Sequence, residues 1–261
     1  MTDHPFNARA KRTYDFDTWP RRTTAPYDFW IGFHHLVAVP GYERRETYGG
    51  KDPDSSRHIA MIVLGPAGEQ PDPRALLVHV VECSSDEEAR EALVTELAEI
   101  MHPDRLPRGA ERGVDVGEIS FASREPEPGY VLFTRANVVV RIVSTGLQPI
   151  TAGPAAHHLD TLLWAPAHSG TPGGTAGALA LSVAEAPAGA GVTVTLPPLD
   201  ESSALHLRSD AGPLRRVAGS LQLLARHPGP HDVSATYHRA DGARRSAGRV
   251  TLTVDQRLDQ R

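Results

Sequence analysis

The sequence predicts an α+β protein in which an N-terminal antiparallel sheet carries two helices on one face and is followed by an all-β sandwich. Three observations favour this class. Short apolar strands and two helical segments share residues 27–166 without regular alternation of strand and helix. From residue 178 onward, apolar residues recur at every second position, with turns roughly every 8–12 residues. The chain of 261 residues is 40% hydrophobic, which is enough for the cores of two domains.

The domain boundaries follow composition. The predicted segments are an extended arm over residues 1–26, an α+β domain over 27–166, a Gly/Pro linker over 167–177, a sandwich over 178–256 and a tail over 257–261. Ten of the fifteen aromatic residues lie in the first 48 positions. Residues 1–168 carry 24 acidic and 17 basic side chains, a net charge of −7, whereas residues 169–261 carry 8 and 10, a net charge of +2. Two regions of different chemistry therefore share the chain.

Strands of the first domain are indicated by short apolar runs. The run from Phe29 to Val39 is almost continuously apolar, as in a central strand covered on both faces. Further strands are predicted at Ile59–Leu64, Leu76–Val81, Ile119–Ala122, Tyr130–Thr134 and Val138–Val143. Asn137 suits the left-handed position of the tight turn between the last two strands.

Two helices are predicted in the same domain. Ser85 is a good N-cap, and Glu88 stands at the spacing of a capping box. The helix then shows an apolar stripe with Glu91, Glu96 and Glu99 off it, and Pro103 ends it; the stripe consists of Ala89, Leu93, Leu97, Ile100 and Met101. A second, short helix is predicted over residues 154–164, with its proline in the first turn.

The second region alternates throughout. Its predicted strands contain Leu179–Val183, Val192–Leu196, Leu205–Leu207, Leu221–Leu223, Val233–Tyr237 and Val250–Val254. Near its end, the Pro228-Gly229-Pro230 turn, a strand, the Asp241-Gly242 turn and the Val-rich segment 248–254 resemble the last two strands of bacterial immunoglobulin-like domains. This resemblance covers roughly ninety residues and implies a binding or spacer module without catalytic chemistry. The region has neither Cys nor Trp, which excludes an antibody-type core. No family resemblance is identified for residues 1–168.

Composition also limits partners and location. A net charge of −5 and a pI near 6.2 disfavour nucleic acid as a partner. The longest apolar runs, such as Val138-Val139-Val140, are far shorter than the roughly 20 residues of a membrane span, so no membrane association is expected. Cys83 is the single cysteine and cannot form an internal disulfide. The sequence therefore predicts a cytoplasmic protein.

No sequence motif assigns a reaction, a cofactor or a metal. The sequence contains no Gly-x-Ser-x-Gly, no His-Glu-x-x-His and no paired Cys-x-x-Cys. Cys83 precedes a helix, but the acidic first turn of that helix would oppose a thiolate, which favours a structural cysteine. His34 and His35 are adjacent on a predicted strand and would point to opposite faces. A composite metal site, for example from His35, His58 and His79, stays open as an alternative.

Large aromatic residues near the N-terminus are the best candidates for a binding surface, because such residues are enriched at interaction hot spots. The candidate set is Tyr14, Phe16, Trp19, Tyr27, Trp30 and His34. The alternative is that the arm wraps its own domain and these rings close its core.

Three functions remain compatible with the sequence. The first is a non-catalytic, two-domain binding protein with a protein partner or self-association. The second is an enzyme with a dispersed site in the first domain, using His34, His35, Glu82 or Cys83, with the sandwich as an accessory module. The third is a self-assembling structural component that uses its sheet edges.

Overall fold

The structure, a computed structural model, describes residues 5–21, 26–51, 57–68, 73–100, 105–164 and 179–256. Helices and several sheets occur together in these ranges, so the protein is α+β. The chain divides into two compact units. The first unit consists of Met1–Arg21 and Val37–Ala165, and the second of Arg22–Leu36 and Pro166–Arg261. No described helix combines the length and the apolar character needed to cross a membrane.

Helices and strands are numbered in chain order. The α-helices are α1 (Pro5–Thr13), α2 (Asp86–Glu99) and α3 (Gly153–Trp164). The strands are β1 (Tyr27–Ile31), β2 (Tyr42–Lys51), β3 (His58–Pro66), β4 (Leu76–Glu82), β5 (Ile119–Ala122), β6 (Tyr130–Arg135), β7 (Val138–Ser144), β8 (Ala180–Leu181), β9 (Glu185–Pro187), β10 (Gly191–Thr195), β11 (Ser203–Ser209), β12 (Leu214–Val217), β13 (Ser220–Leu224), β14 (Gly229–Arg239) and β15 (Arg244–Asp255). Short 3-10 helices cover Phe16–Thr18, Phe33–Leu36 and Gly109–Arg112.

The first unit is built on a six-stranded antiparallel sheet with the order β2-β3-β4-β7-β6-β5. Its last five strands in chain order lie where the apolar runs predict them. The tight turn between β6 and β7 differs from the prediction, because Ala136 and not Asn137 has a positive φ, of 53°. Asn137 is buried instead, and its Nδ2 donates a hydrogen bond to the carbonyl oxygen of Cys83 at 3.2 Å.

Helix α2 begins as its capping residues predict. Ser85 is the N-cap, and its Oγ accepts a hydrogen bond from the N–H of Glu88 at 3.0 Å. The helix packs on the sheet face that carries Val81 and Val139. The apolar side chains of α2 form one buried cluster there, which also contains residues of β5 and β6.

Helix α3 lies on the opposite face of this sheet. Its Asp160 accepts a hydrogen bond from Arg135 of β6 at 2.8 Å. Arg135 pairs with Val138, and the next pair along, Thr134 with Val139, faces α2. Arg135 therefore points away from α2, and α3 contacts it on that other face. The prediction that both helices cover one face is wrong.

The N-terminal segment is not an extended arm. Residues 5–13 form α1, which packs against α2, and Lys11 pairs with Glu91 of α2 at 2.8 Å. Tyr14 and Trp19 then enter the apolar cluster under α2. The charged residues of the segment suit a helix of which one side is exposed, and Ala10 is the buried residue on the other side.

The predicted central strand at Phe29–Val39 is also wrong. Strand β1 ends at Ile31, and Gly32 adopts a φ of +76° before the 3-10 helix Phe33–Leu36. A Cβ at Gly32 would lie 3.0 Å from the carbonyl oxygen of Ser203, so the site requires glycine for space as well as for conformation. Strand β1 pairs with β11 and belongs to the second unit, whereas the sequence placed residues 27–36 in the first domain.

The second unit contains two sheets that share one apolar core, as in a β-sandwich. One sheet has the order β1-β11-β14-β15-β9, and the other has the order β12-β13-β10-β8. The alternating residues of the sequence pattern face this core, including Val192, Leu205, Leu223 and Leu252. The short strands β9 and β12 were not predicted. The predicted linker 167–177 and tail 257–261 lie outside the described residues.

Candidate functional site

Three of the predicted binding residues pack within the first unit. Tyr14 and Trp19 are buried, and the Nε1 of Trp19 donates a hydrogen bond to the carbonyl oxygen of Tyr14 at 2.8 Å. Phe16 is partly buried, with the guanidinium of Arg90 4.8 Å from its ring centre and the ammonium of Lys11 at 5.0 Å. Burial leaves the rings of Tyr14 and Trp19 no surface for a partner, and they close a core, as the alternative interpretation has it.

The other three lie in the second unit. The hydroxyl of Tyr27 is 3.4 Å from Nε2 of His227, and Tyr27 is buried. Trp30 is fully buried and stacks on His206, with ring centres 4.6 Å apart. His34 is partly exposed and lies on the 3-10 helix, where its ring is 4.0 Å from that of His35. The structure thus divides the six residues between the two units, and most of them are core residues.

The candidate catalytic residues of the first unit lie around the end of β4. Cys83 is fully buried, and its N–H donates a hydrogen bond to the carbonyl oxygen of Asn137 at 2.8 Å. Glu82 is buried and stands directly opposite His58 in the register of β3 and β4. His79 pairs with Met61 three positions along, so it faces the other side of the sheet from His58. His58 and His79 therefore cannot share a metal ion.

A cluster of charged side chains lies under α2. Oε1 of Glu96 is 3.1 Å from Nδ1 of His79, and its Oε2 is 2.7 Å from Nη1 of Arg141. His79 and Arg141 are direct neighbours in the register of β4 and β7. Burial raises the pKa of the nearby Tyr130, which stays a neutral phenol at physiological pH. The sequence placed Glu96 off the apolar stripe of its helix, yet Glu96 is buried, with His79 and Arg141 of the sheet beside its carboxyl group.

A second cluster lies on the outer face of the five-stranded sheet. Nε2 of His206 is 3.1 Å from Oδ1 of Asp28, and Trp30 covers the imidazole of His206. The ring of His238 lies 5.0 Å from that of Trp30. Burial lowers the pKa of His238 to about 3, and the positive charges of His206 and Arg244 act in the same direction. A histidine and a carboxylate meet here, but the stacked indole closes one face of the imidazole.

A cavity of about 320 Å³ opens at one end of the sandwich. Its lining residues come from the loop before β11 and from the strands β11, β14 and β15: Pro197, Pro198, Asp200, Ser203, Tyr237, Arg239 and Arg245. Its volume is at the lower end of the range of small-molecule sites. Unlike the two buried clusters, it combines apolar and charged side chains with access from solvent.

Strand parity explains the lining of this cavity. Val233, Ala235 and Tyr237 face the core at alternating positions, and Arg239 is the next residue of that series. Ser203 is the register partner of Arg239, and Arg245 is the partner of Tyr237. The inner face thus changes from apolar to polar at this end of the sheet. The alternation in the sequence contained this information, but the loop with Pro197 and Pro198 closes the cavity only in three dimensions.

Comparisons of the chain with protein families, with curated proteins and with solved structures found no match.

Proposed function

We propose that this chain is a non-catalytic binding protein, that its second unit is an immunoglobulin-like β-sandwich and that the cavity at the end of this sandwich takes the ligand. The observation that carries the proposal is the cavity of about 320 Å³, in which Pro197, Tyr237 and two arginines meet. Loops at the ends of sandwiches are a usual place for recognition, because a rigid pair of sheets holds them.

The immunoglobulin-like assignment draws on the resemblance of residues 228–254 and on the two-sheet core. Strands β14 and β15 form the long antiparallel hairpin that this segment indicates, with Gly242 at a φ of 83° in its turn. Strand β11 continues the same sheet. The resemblance implies a binding or spacer module, and the fold by itself implies no chemistry.

Binding is favoured over catalysis because the groups suited to acid–base work are engaged elsewhere. Glu96 is held by His79 and Arg141 beneath α2. His206 and Asp28 form a pair of the kind that orients a catalytic base, but the buried Trp30 stacks on the imidazole. A catalytic base must reach its substrate within hydrogen-bond distance, which such a cover opposes.

Ligand-observed NMR on the full chain tests this proposal. A library of small soluble compounds is screened by saturation transfer, and the hits are repeated with Arg245→Trp, which fills the cavity mouth. Arg249→Trp is the matched control, because Arg249 is an exposed residue of the same strand and does not line the cavity. We expect hits that Arg245→Trp loses and Arg249→Trp retains.

Two results would contradict the proposal. One is the absence of any hit, or a set of hits that Arg245→Trp binds as well as the parent chain does. The other is chemical conversion of a hit during incubation with the protein, which the same spectra would record as new resonances. Conversion would favour the enzyme alternative.

A further inference from the structure

We infer that the cavity of the sandwich selects a small organic monoanion, with a carboxylate on Arg245 and an apolar ring or short chain against Pro197, Pro198 and Tyr237. This inference rests on the proposed binding function and specifies the ligand class of the same site. Each part of the ligand is derived from a different part of the lining.

The apolar part of the ligand follows from how Tyr237 is held. Its hydroxyl lies 3.0 Å from the carbonyl oxygen of Pro197 and 3.2 Å from that of Pro198, and it donates its hydrogen to this pair. Burial raises the pKa of Tyr237, so the hydroxyl stays protonated and its single hydrogen stays committed. The phenol ring and the two proline rings therefore present apolar surface to the cavity, and the hydroxyl has no hydrogen left to donate to a ligand.

The acidic residue of the lining is engaged within its own turn. Oδ1 of Asp200 accepts hydrogen bonds from the N–H of Ser202 at 3.0 Å and from its Oγ at 2.8 Å. Hydrogen bonds from Ser203 and Ser202 lower the pKa of Asp200, which stays ionised. Its acceptor sites thus stabilise the loop before β11.

The two arginines of the lining differ in their partners. Nε of Arg239 lies 3.2 Å from Oδ2 of Asp241, so part of its charge is already compensated. Asp241 also accepts a hydrogen bond from the N–H of Ala243 at 3.0 Å, which fixes it in the hairpin turn. Arg245 forms no ion pair with any residue that the structure describes. One guanidinium at the cavity mouth is thus left to face an incoming anion.

The ligand class follows from charge, shape and size. A guanidinium binds a carboxylate through two parallel hydrogen bonds. One uncompensated arginine beside an ionised aspartate favours a single negative charge over a phosphate dianion. A cavity of about 320 Å³ has room for a ligand of the size of a phenyl ring with a short acidic chain. The same carboxylate chemistry also occurs on an acidic side chain of a protein, and the experiment separates the two sources.

Titration calorimetry on the full chain tests the inference with three probes: 3-phenylpropionate, the neutral 3-phenylpropionamide and a blocked pentapeptide with one glutamate. We expect the acid to bind about tenfold or more tightly than the amide, since hydrogen bonds to charged groups are the stronger ones. Arg245→Gln should abolish this preference and Arg245→Lys should keep part of it. Arg249→Gln, the matched control, should leave it unchanged, and added salt should weaken binding of the acid only.

The outcomes separate the inference from the proposed function. Equal affinity for acid and amide overturns the inference that the ligand is an anion, and so does a preference for the acid that survives Arg245→Gln. Neither result contradicts binding in the cavity. A pentapeptide that binds tenfold more tightly than the acid overturns the small-molecule ligand in favour of an acidic protein segment. Because Arg245 is exposed, its substitution should leave the fold intact. An unchanged melting temperature of the variants checks this. Absence of every ligand in the library screen would overturn the proposed function itself.

Discussion

Two buried titratable side chains, one in each unit, lie in opposite kinds of surroundings. In the first unit, Glu96 is buried with its carboxyl oxygens close to His79 and Arg141. In the second unit, His238 is buried with Nε2 unpaired among the described residues, and its lowered pKa keeps it neutral. Glu96 has basic side chains beside it, whereas burial keeps His238 neutral. A sheet under a helix can place basic side chains of neighbouring strands beside a buried carboxyl group, whereas burial among aromatic rings suppresses ionisation.

The two halves of the N-terminal segment belong to different units. Residues 5–21 complete the first unit through α1 and Trp19. Residues 27–31 complete the second unit, because β1 adds an edge strand to β11 and places Phe29 in the core. Each unit is therefore finished by a short segment that is distant in sequence from most of the unit.

The largest expected effect concerns this completion of the sandwich. Phe29→Ala removes a buried ring from the core and should lower the free energy of unfolding of the second unit by about 3–5 kcal/mol. Urea unfolding of the full chain, followed by hydrogen exchange of amides in β11 and β14, measures it. Val183→Ala, at a position 45% exposed, is the control and should change little. A loss of protection confined to β1 would contradict the role of β1 in this core.

A smaller effect is expected at the buried Glu96 of the first unit. Glu96→Gln leaves Arg141 and His79 without their carboxylate and should cost about 3 kcal/mol, because breaking a buried pair leaves an uncompensated charge. Glu91→Gln on the same helix removes a partly exposed partner of Lys11 and should cost less than about 1 kcal/mol. Equal losses in chemical denaturation would show that the cluster under α2 behaves like a surface ion pair.

The effect that is smallest near neutral pH is a slope with pH in the second unit. The unfolded chain protonates His238 as the pH falls below about 6.5, whereas the folded chain binds this proton only near pH 3. The free energy of unfolding should therefore fall by up to ~1.4 kcal/mol per pH unit between these values and be fully recovered above pH 7. His238→Phe should remove this slope, and the exposed His157→Gln should retain it. Thermal unfolding at pH 7, 6, 5 and 4 measures the difference, and parallel curves for His238→Phe and the parent chain would contradict it.

Local patterns predicted much of the secondary structure. Ser85 and Glu88 predicted the start of α2, since a cap is an interaction within four residues. Alternation predicted the inward residues of β10, β11, β13, β14 and β15, because burial on one face of a strand has a period of two. The turn between β6 and β7 was placed correctly, but the left-handed residue is Ala136, a choice that the burial of Asn137 imposes.

The candidate site was predicted only in part. Tyr237 was placed inward by alternation, but Arg239 and Arg245 gave no sign in sequence of lying beside Pro197. Their proximity depends on the pairing of β14 with β15 and on the loop before β11. The aromatic residues chosen as a binding surface were chosen for their size, and size equally suits a core.

The sequence by itself determined the α+β class, the strands of the six-stranded sheet after its first, the capped helix and the inward pattern of the sandwich. All of these depend on neighbours a few residues apart. The tertiary structure decided that β1 joins the second unit, that α3 lies opposite α2, that Glu96 is buried and that a cavity forms beside Arg245. These features depend on contacts between residues far apart in sequence, and local periodicity carries no information about such partners.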